Sequence, residues 1–349
     1  MELVTLPARY GGMSFDDPVA DSSTKHTDSL EYTATLTSLL VEGAIELPAG
    51  GDLDQEAKAA IKTRHRTILK EKADNIQSRL PDPQRRAMEL AREKGGSSTL
   101  TTIPIAEHGF FFEVKSDFHD HVHLRYCWPL DNLPPTCPCG ANFTIDHAQI
   151  CKLSGFIHMR HNDPTTFLAQ CMKEVHQDVE LEPPLQPLTG ETFRHQTANT
   201  NLDTRADIRV RGFWPDSIFY MRVFYPHARS YQSRGLPSLY KKFESEKKRE
   251  YGERINVVEH GSFTPLIFSA CGGMGREATV VVKRLASDLA SKRHETYSRV
   301  INWLRCRLTF SLARSAIRCV RGSRSIRRRT PPGLAPVDLV CAEAHFESY

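Results

Sequence analysis

Between Cys137 and Cys151 the chain reads CPCGANFTIDHAQIC, a C-x-C-x7-H-x3-C spacing. Three thiols and an imidazole within one short stretch are the donor set that tetrahedral Zn²⁺ takes, so Cys137, Cys139, His147 and Cys151 are candidate metal ligands. Gly140 follows the second cysteine, where a chain wrapping an ion needs backbone freedom. His147 and Cys151 lie four apart, so one helical turn would bring both to the same ion. Pro134 and Pro135 stiffen the entry. The competing reading is a reduced loop whose cysteines merely pack. A metal knot would fix the local chain path before any apolar core did, and it constrains this chain more than any other feature.

Nine cysteines is an odd number, and four of them cluster with a histidine in a 349-residue chain. That favours a reducing compartment and metal binding over a disulfide framework. A hydrophobic content of 40% and a charged content of 25% are those of a globular protein with two or three cores. No run of eighteen apolar residues offers a membrane span, and the opening MELVTLPARYGG lacks the charged start and apolar centre of a secretion signal. A nuclear or cytoplasmic location is expected, with neither a membrane nor a small-molecule substrate as partner.

The net charge is only +4, yet ten arginines fall between Arg299 and Arg329 without one acid among them. Such a block seeks phosphates. Arg307, Arg314, Arg318 and Arg321 are therefore candidate nucleic-acid contacts, together with Arg160 and His161 after the cysteine cluster. The plain alternative is a solvated face with a basic tail.

Residues 1–98 read as a helical connector. A turn-rich start leads to helical periodicity from about Thr27, a charged helix from Asp54 to Leu80, and another opening at Asp82-Pro83 with Asp82 as its cap. Phe15-Asp16-Asp17 lacks a flanking strand and reads as a loop. Residues 99–162 hold the cysteine cluster within a linker. There TLTTIPIAEHGFFFEV is β-branched and aromatic, and His119, His121 and His123 alternate. On a strand all three would share a face; on a helix only His119 and His123 would. In residues 163–325 the order is helix, three strands, helix, strand, helix, with Ile301, Leu304, Leu308 and Leu312 as a core stripe. This predicts an α+β chain whose last domain is α/β with a central mixed sheet. Residues 326–349 carry little core signal and read as a disordered tail.

Glu182 and Asp207, each at a strand, suit an acid pair that holds Mg²⁺ against a scissile phosphate. With LPARYGGM, AREKGGSSTLTTIPIAEHGF, LRYCWPL, the cysteine cluster, RHN at 160–162, LEPPLQPLTGETF, RADIR, RVFYP, EHGSFTPLIFSACGGMGREAT and RGSRS, the chain resembles the C-terminal part of a non-LTR retrotransposon polyprotein. The resemblance is to the lineage carrying a restriction-like, PD-(D/E)xK endonuclease, and it covers nearly all of residues 5–325.

What the resemblance implies is a connector following a reverse transcriptase that lies upstream, then a zinc knuckle on Cys137, Cys139, His147 and Cys151, then the endonuclease. Glu182 and Asp207 match acidic positions of its motif; Lys247 and Tyr251 match a basic residue and a tyrosine on the helix after the strands. Implied cofactors are structural Zn²⁺ and catalytic Mg²⁺; implied partners are DNA and the element's RNA. The chain departs from the pattern at the third strand, where the family resembles F-x-D-V-R-V-F and this chain reads IFYMRVF over 218–224, putting Tyr220 in the place of a metal-binding aspartate. A phenol with a pKa of about 10 is a poor Mg²⁺ ligand. Losing ~4 kcal/mol of transition-state stabilisation would slow cutting about a thousandfold. Asp216, at a Trp-Pro-Asp turn, is not expected to reach the site. The expected function is an impaired DNA-nicking domain of the kind that primes reverse transcription. The alternatives are a zinc-dependent nucleic-acid-binding module without chemistry, and a functionless relic.

Overall fold

The computed structural model describes residues 2–15, 17–43, 55–186, 205–213 and 216–323. The 326–349 tail, Asp16, and Arg324, Arg327, Arg328 and Arg329 lie outside the described residues. The chain is α+β and divides into two compact units: residues 1–104 with 125–128, and residues 105–124 with 129–349. No helix among the described residues is long and apolar enough to cross a membrane.

The first unit is helical: α1 (Glu2–Thr5), α2 (Pro18–Val41), α3 (Gln55–Arg79), α4 (Asp82–Arg92) and α5 (Ser98–Thr101). Leu6, Ala73, Ile76 and Met88 form its small core. The turn at Leu6–Met13 needs its glycines, since a Cβ on Gly12 would fall 1.9 Å from the Leu6 carbonyl oxygen. Helix α2 starts well before Thr27: Pro18 sits in its first turn and the Asp17 carboxylate accepts from the Ala20 amide at 3.1 Å. Its first turns are polar and exposed, so no apolar period announces them. In α4 the cap falls one residue early, on Pro81, with Asp82 in the first turn, where its charge still meets the helix dipole. The α3 stripe packs only at its far end, through Ala73 and Ile76, while Ile68 stays exposed.

The second unit adds α6 (Lys115–Tyr126, whose last two residues belong with the first unit), α7 (Ile145–Ile150) and α8 (Phe156–Val175). The strands are β1 (Val179–Leu181), β2 (Ile208–Arg211), β3 (Asp216–Phe224) and β4 (Ser262–Ser269), with α9 (Leu236–Glu253) before β4 and α10 (Arg276–Arg293) and α11 (Tyr297–Arg321) after it. The sheet runs β1-β2-β3-β4, antiparallel except for the parallel β3/β4 pair, and so is mixed. Pro265 is tolerated because β4 is an edge. Along β3, Phe219 and Met221 join the main core with α8, α10 and α11, while Ile218 and Tyr220 join a second cluster with Tyr251 and Ile255. That is the alternation a strand imposes. All four residues of the Ile301–Leu312 stripe are buried.

The β-branched, aromatic stretch from residue 99 makes no strand, only an isolated Ile105–Phe110 bridge. Phe110 instead stacks on Phe310 of α11 at 5.8 Å, and Phe112 packs against it tilted at 5.4 Å. The three histidines fall on α6, where His119 and His123 lie 4.1 Å apart and His121 meets Phe112. The helical region after β4 is two helices, α10 ending at His294, whose φ is 57°.

Four arginines of α11 are engaged by groups of the chain itself. Arg314 donates to the carbonyls of Gly109 (3.1 Å) and Phe111 (3.0 Å) and lies over the Phe111 ring, and burial lowers its pKa to about 10. Arg307 reaches Gly109 O at 3.3 Å. Arg318 pairs with Asp163 at 3.1 Å and with Glu113. Arg321 grips Asp120 through two nitrogens, at 2.5 and 2.8 Å. The Arg321 guanidinium holds buried Asp120 below the usual carboxylate range. A depressed carboxylate stabilises the fold above its unfolded pKa of about 4 and loses that contribution as pH falls. Denaturation of an Arg321→Ala variant is expected to show a loss on the order of 2 kcal/mol at neutral pH, as for a hydrogen bond to a charged group. That difference should shrink as the pH falls below about 4.

Candidate metal centre and sheet-edge site

The cysteine cluster is assembled by two local motifs. Cys137 N donates to Ala141 O and Gly140 N to Cys137 O, both at 2.8 Å, closing a tight turn in which Gly140 has φ 89°. No neighbour lies within 4 Å of a Cβ placed at Gly140, so the backbone angle, not space, asks for glycine there. A bridge between Thr136 and Asn142 makes this a minimal hairpin. Helix α7 follows, its Thr144 hydroxyl accepting from the His147 amide at 3.0 Å. Cys151 caps the other end, its amide bonding to His147 O. Turn and helix thus present two donors each.

The four donor atoms lie within 4.8 Å of one another. Cys137 and Cys151 Sγ are 3.8 Å apart, and Cys139 Sγ lies 3.3 Å from His147 Nε2. With Zn–S bonds of about 2.3 Å, a tetrahedral edge between two sulfurs is about 3.8 Å. The donor set and spacing fit, so the cluster could hold a metal ion such as zinc. Burial pushes the Cys137 thiol up, whereas hydrogen bonding at the Ala141 backbone pulls Cys139 down. The buried thiol would thus lose its proton to solvent as a metal bound the thiolate, more readily than without one. Among the described residues this is the only group of three or more metal-ligating side chains gathered in one place.

The cluster has an apolar seat of Leu130, Phe143, Ala148 and Val320. Buried Gln149 donates to Ala316 O of α11 at 2.8 Å, and Asp146 accepts from the Tyr225 hydroxyl at 2.8 Å. Arg160, expected to meet phosphate, is only 3% exposed and donates to Gln149 O (3.1 Å) and Oε1 (2.9 Å). It braces the metal cluster.

His161 points elsewhere. Its Nε2 lies 3.2 Å from Asp207 Oδ2 and 3.1 Å from Met221 O. Burial works against its protonation, but the Asp207 hydrogen bond and charge outweigh burial and raise its pKa. The Asp207 carboxylate also accepts from the Met221 amide at 2.5 Å, and its own amide donates to Phe219 O at 3.1 Å. Asp207 is thereby tied to the main chain on both sides of Tyr220. Glu182 joins it through the backbone, Glu182 N to Asp207 O at 3.0 Å, with a φ of 50°. The Glu182 carboxylate is 65% exposed and lies 3.7 Å from Arg205.

Lys247 meets Tyr220, not an acid of the motif. Its Nζ sits 3.9 Å over the Tyr220 ring and 4.9 Å from that of Tyr251, and the two tyrosines stack at 4.7 Å. Burial, with Tyr220 alongside, drives the Tyr251 phenol well above its ordinary value. Asp216 opens β3 opposite Arg211 and accepts from Gly212 N. These residues do not fit a Mg²⁺ centre. One carboxylate is committed to His161 and a backbone amide, the other faces solvent, and the third position is a neutral ring. The five expected phosphate-binding arginines are likewise engaged internally.

No protein-family model matches this chain, and no curated protein matches it.

Purified protein is expected to carry a single equivalent of a thiophilic metal such as zinc, and a Cys151→Ser variant to lose it and melt at a lower temperature. Metal analysis finding none in protein prepared without chelator would count against the centre.

Proposed function

We propose that this chain is a retroelement-derived nucleic-acid-binding protein of the non-LTR retrotransposon type. In this reading residues 163–325 are a restriction-endonuclease-like domain, and Cys137–Cys151 is a knuckle held by structural zinc. The single observation that carries the reading is the meeting of Asp207, bonded to the Met221 amide, with Lys247 and Tyr251 of α9 around Tyr220 of β3, Glu182 being joined to Asp207 through the backbone. The residue types are those of a metal-dependent nuclease motif with one position changed, although their carboxylates do not come together as a Mg²⁺ site.

The change decides the activity. The Lys247 ammonium, which in a nuclease would stabilise charge on the phosphate in the transition state, rests on an aromatic face. A cation over a ring is a stabilising arrangement of its own, so Tyr220 turns a charge-bearing site into part of the core. We infer an endonuclease-type domain for target-DNA nicking whose cutting is impaired. The Tyr220–Lys247–Tyr251 stack favours the second reading, a zinc-dependent binder of DNA or retroelement RNA without chemistry.

A supercoiled-plasmid assay with Mg²⁺ or Mn²⁺ tests this. Nicking by the unaltered chain is expected to fall about a thousandfold short of an intact site, equivalent to ~4 kcal/mol, and Asp207→Ala should change it little. Efficient nicking that Asp207→Ala abolishes would overturn the assignment of lost activity.

A further inference from the structure

Helices α2 and α3 of the first unit enclose a cleft of about 490 Å³ that no part of the sheet-edge reading uses. Its charge is one-sided. Arg9, Lys25, Lys58, Lys62 and Arg66 line it, and the single carboxylate among the lining residues is Asp28. Asp28 is bound by Arg64 and His65, and Arg64 also takes Glu31 at 2.7 Å. The two helices are thus clamped together by the acids nearest the cleft, which leaves those acids committed and the basic lining in excess.

The cations on α3 are regularly spaced. Lys58, Lys62 and Arg66 stand four residues apart on one face, which sets successive charges about 6 Å apart along the helix. Like charges at that spacing repel and weaken an isolated helix, and anions lying along the row would relieve that repulsion. A chain of phosphates at comparable intervals answers it better than one compact anion. An aromatic ring completes the set: Tyr32 of α2 lines the same cleft, is 42% exposed, and has Lys58 Nζ 5.2 Å over its ring. Basic grooves that track a backbone beside an exposed ring are how proteins hold unpaired strands, the ring stacking a base.

We propose that the α2–α3 cleft binds single-stranded nucleic acid, with Lys58, Lys62 and Arg66 on successive phosphates and Tyr32 against a base. The site lies wholly in the first unit and does not depend on the nuclease-like reading of the second.

The test is fluorescence anisotropy of a labelled oligothymidylate with the full chain, between about 50 and 200 mM salt. Each phosphate neutralised on a single strand contributes about 0.7 to the slope of log affinity against log salt. A Lys58→Ser/Lys62→Ser/Arg66→Ser variant is expected to lower that slope by about 2. Tyr32→Leu should weaken binding about tenfold, within the range for one stacked base, and leave the slope unchanged. Lys58→Arg/Lys62→Arg, which keeps the charges, should bind as the unaltered chain does, and equal helicity by circular dichroism shows that the variants fold. The same differences are expected on an Asp207→Ala background, so failure of the nuclease-like reading leaves this outcome readable. An unchanged slope in the triple variant would overturn the proposal. So would a Tyr32→Leu variant that binds as before, or polyglutamate or anionic vesicles competing as well as unlabelled oligothymidylate.

Discussion

The buried guanidinium of Arg160 is the interaction on which the second unit depends. At 3% exposure it has left water, a costly place for a charge; Nη1 is bonded, while Nε is buried without a hydrogen-bond partner. Burial lowers its pKa, and the partner that offsets the cost is Gln149, through both its backbone and side-chain oxygens. Gln149 lies between His147 and Cys151 and bonds onward to Ala316 of α11. One network therefore ties α8, the metal cluster and α11. The next residue on α8, His161, carries the tie to Asp207. Two adjacent side chains on one helix hold the metal cluster on one side and the acidic sheet edge on the other.

Helix α11 extends this arrangement. Its apolar stripe fills the core over the sheet. Its arginines bind the 109–120 segment and Asp163, and Val320 enters the apolar seat of the metal cluster. A stretch that looks like a polyanion-binding face is an internal scaffold. In the first unit the relation is reversed, with the acids of α2 engaged by Arg64 and His65 beside a row of basic residues.

Much of this was legible in the sequence, and the parts that were not share a cause. The third strand, the Leu304 and Leu308 stripe and the cysteine spacing are local patterns, and each is realised. The role of Arg318 was not legible, because its partners Glu113 and Asp163 are more than 150 residues away. Phe110 and Phe112 have strand-like character but pack against Phe310, a partner that only the tertiary fold supplies. Arg160 and His161 share a short basic motif that suggests phosphate, yet neighbouring helical positions point about 100° apart and here serve two internal sites. The resemblance singled out Tyr220 as a departure; its stacking with Tyr251 and Lys247 became visible only with the fold.

The metal cluster, α8 and α11 form one braced body rather than a detachable knuckle. Hydrogen exchange by mass spectrometry, with and without a zinc chelator, tests that directly. Metal removal is expected to release protection at 137–151 and, through Gln149, at the first turns of α8 and at 316–321, while β2 and β3 stay protected. Loss confined to 137–151, or equal loss throughout the second unit, would contradict it.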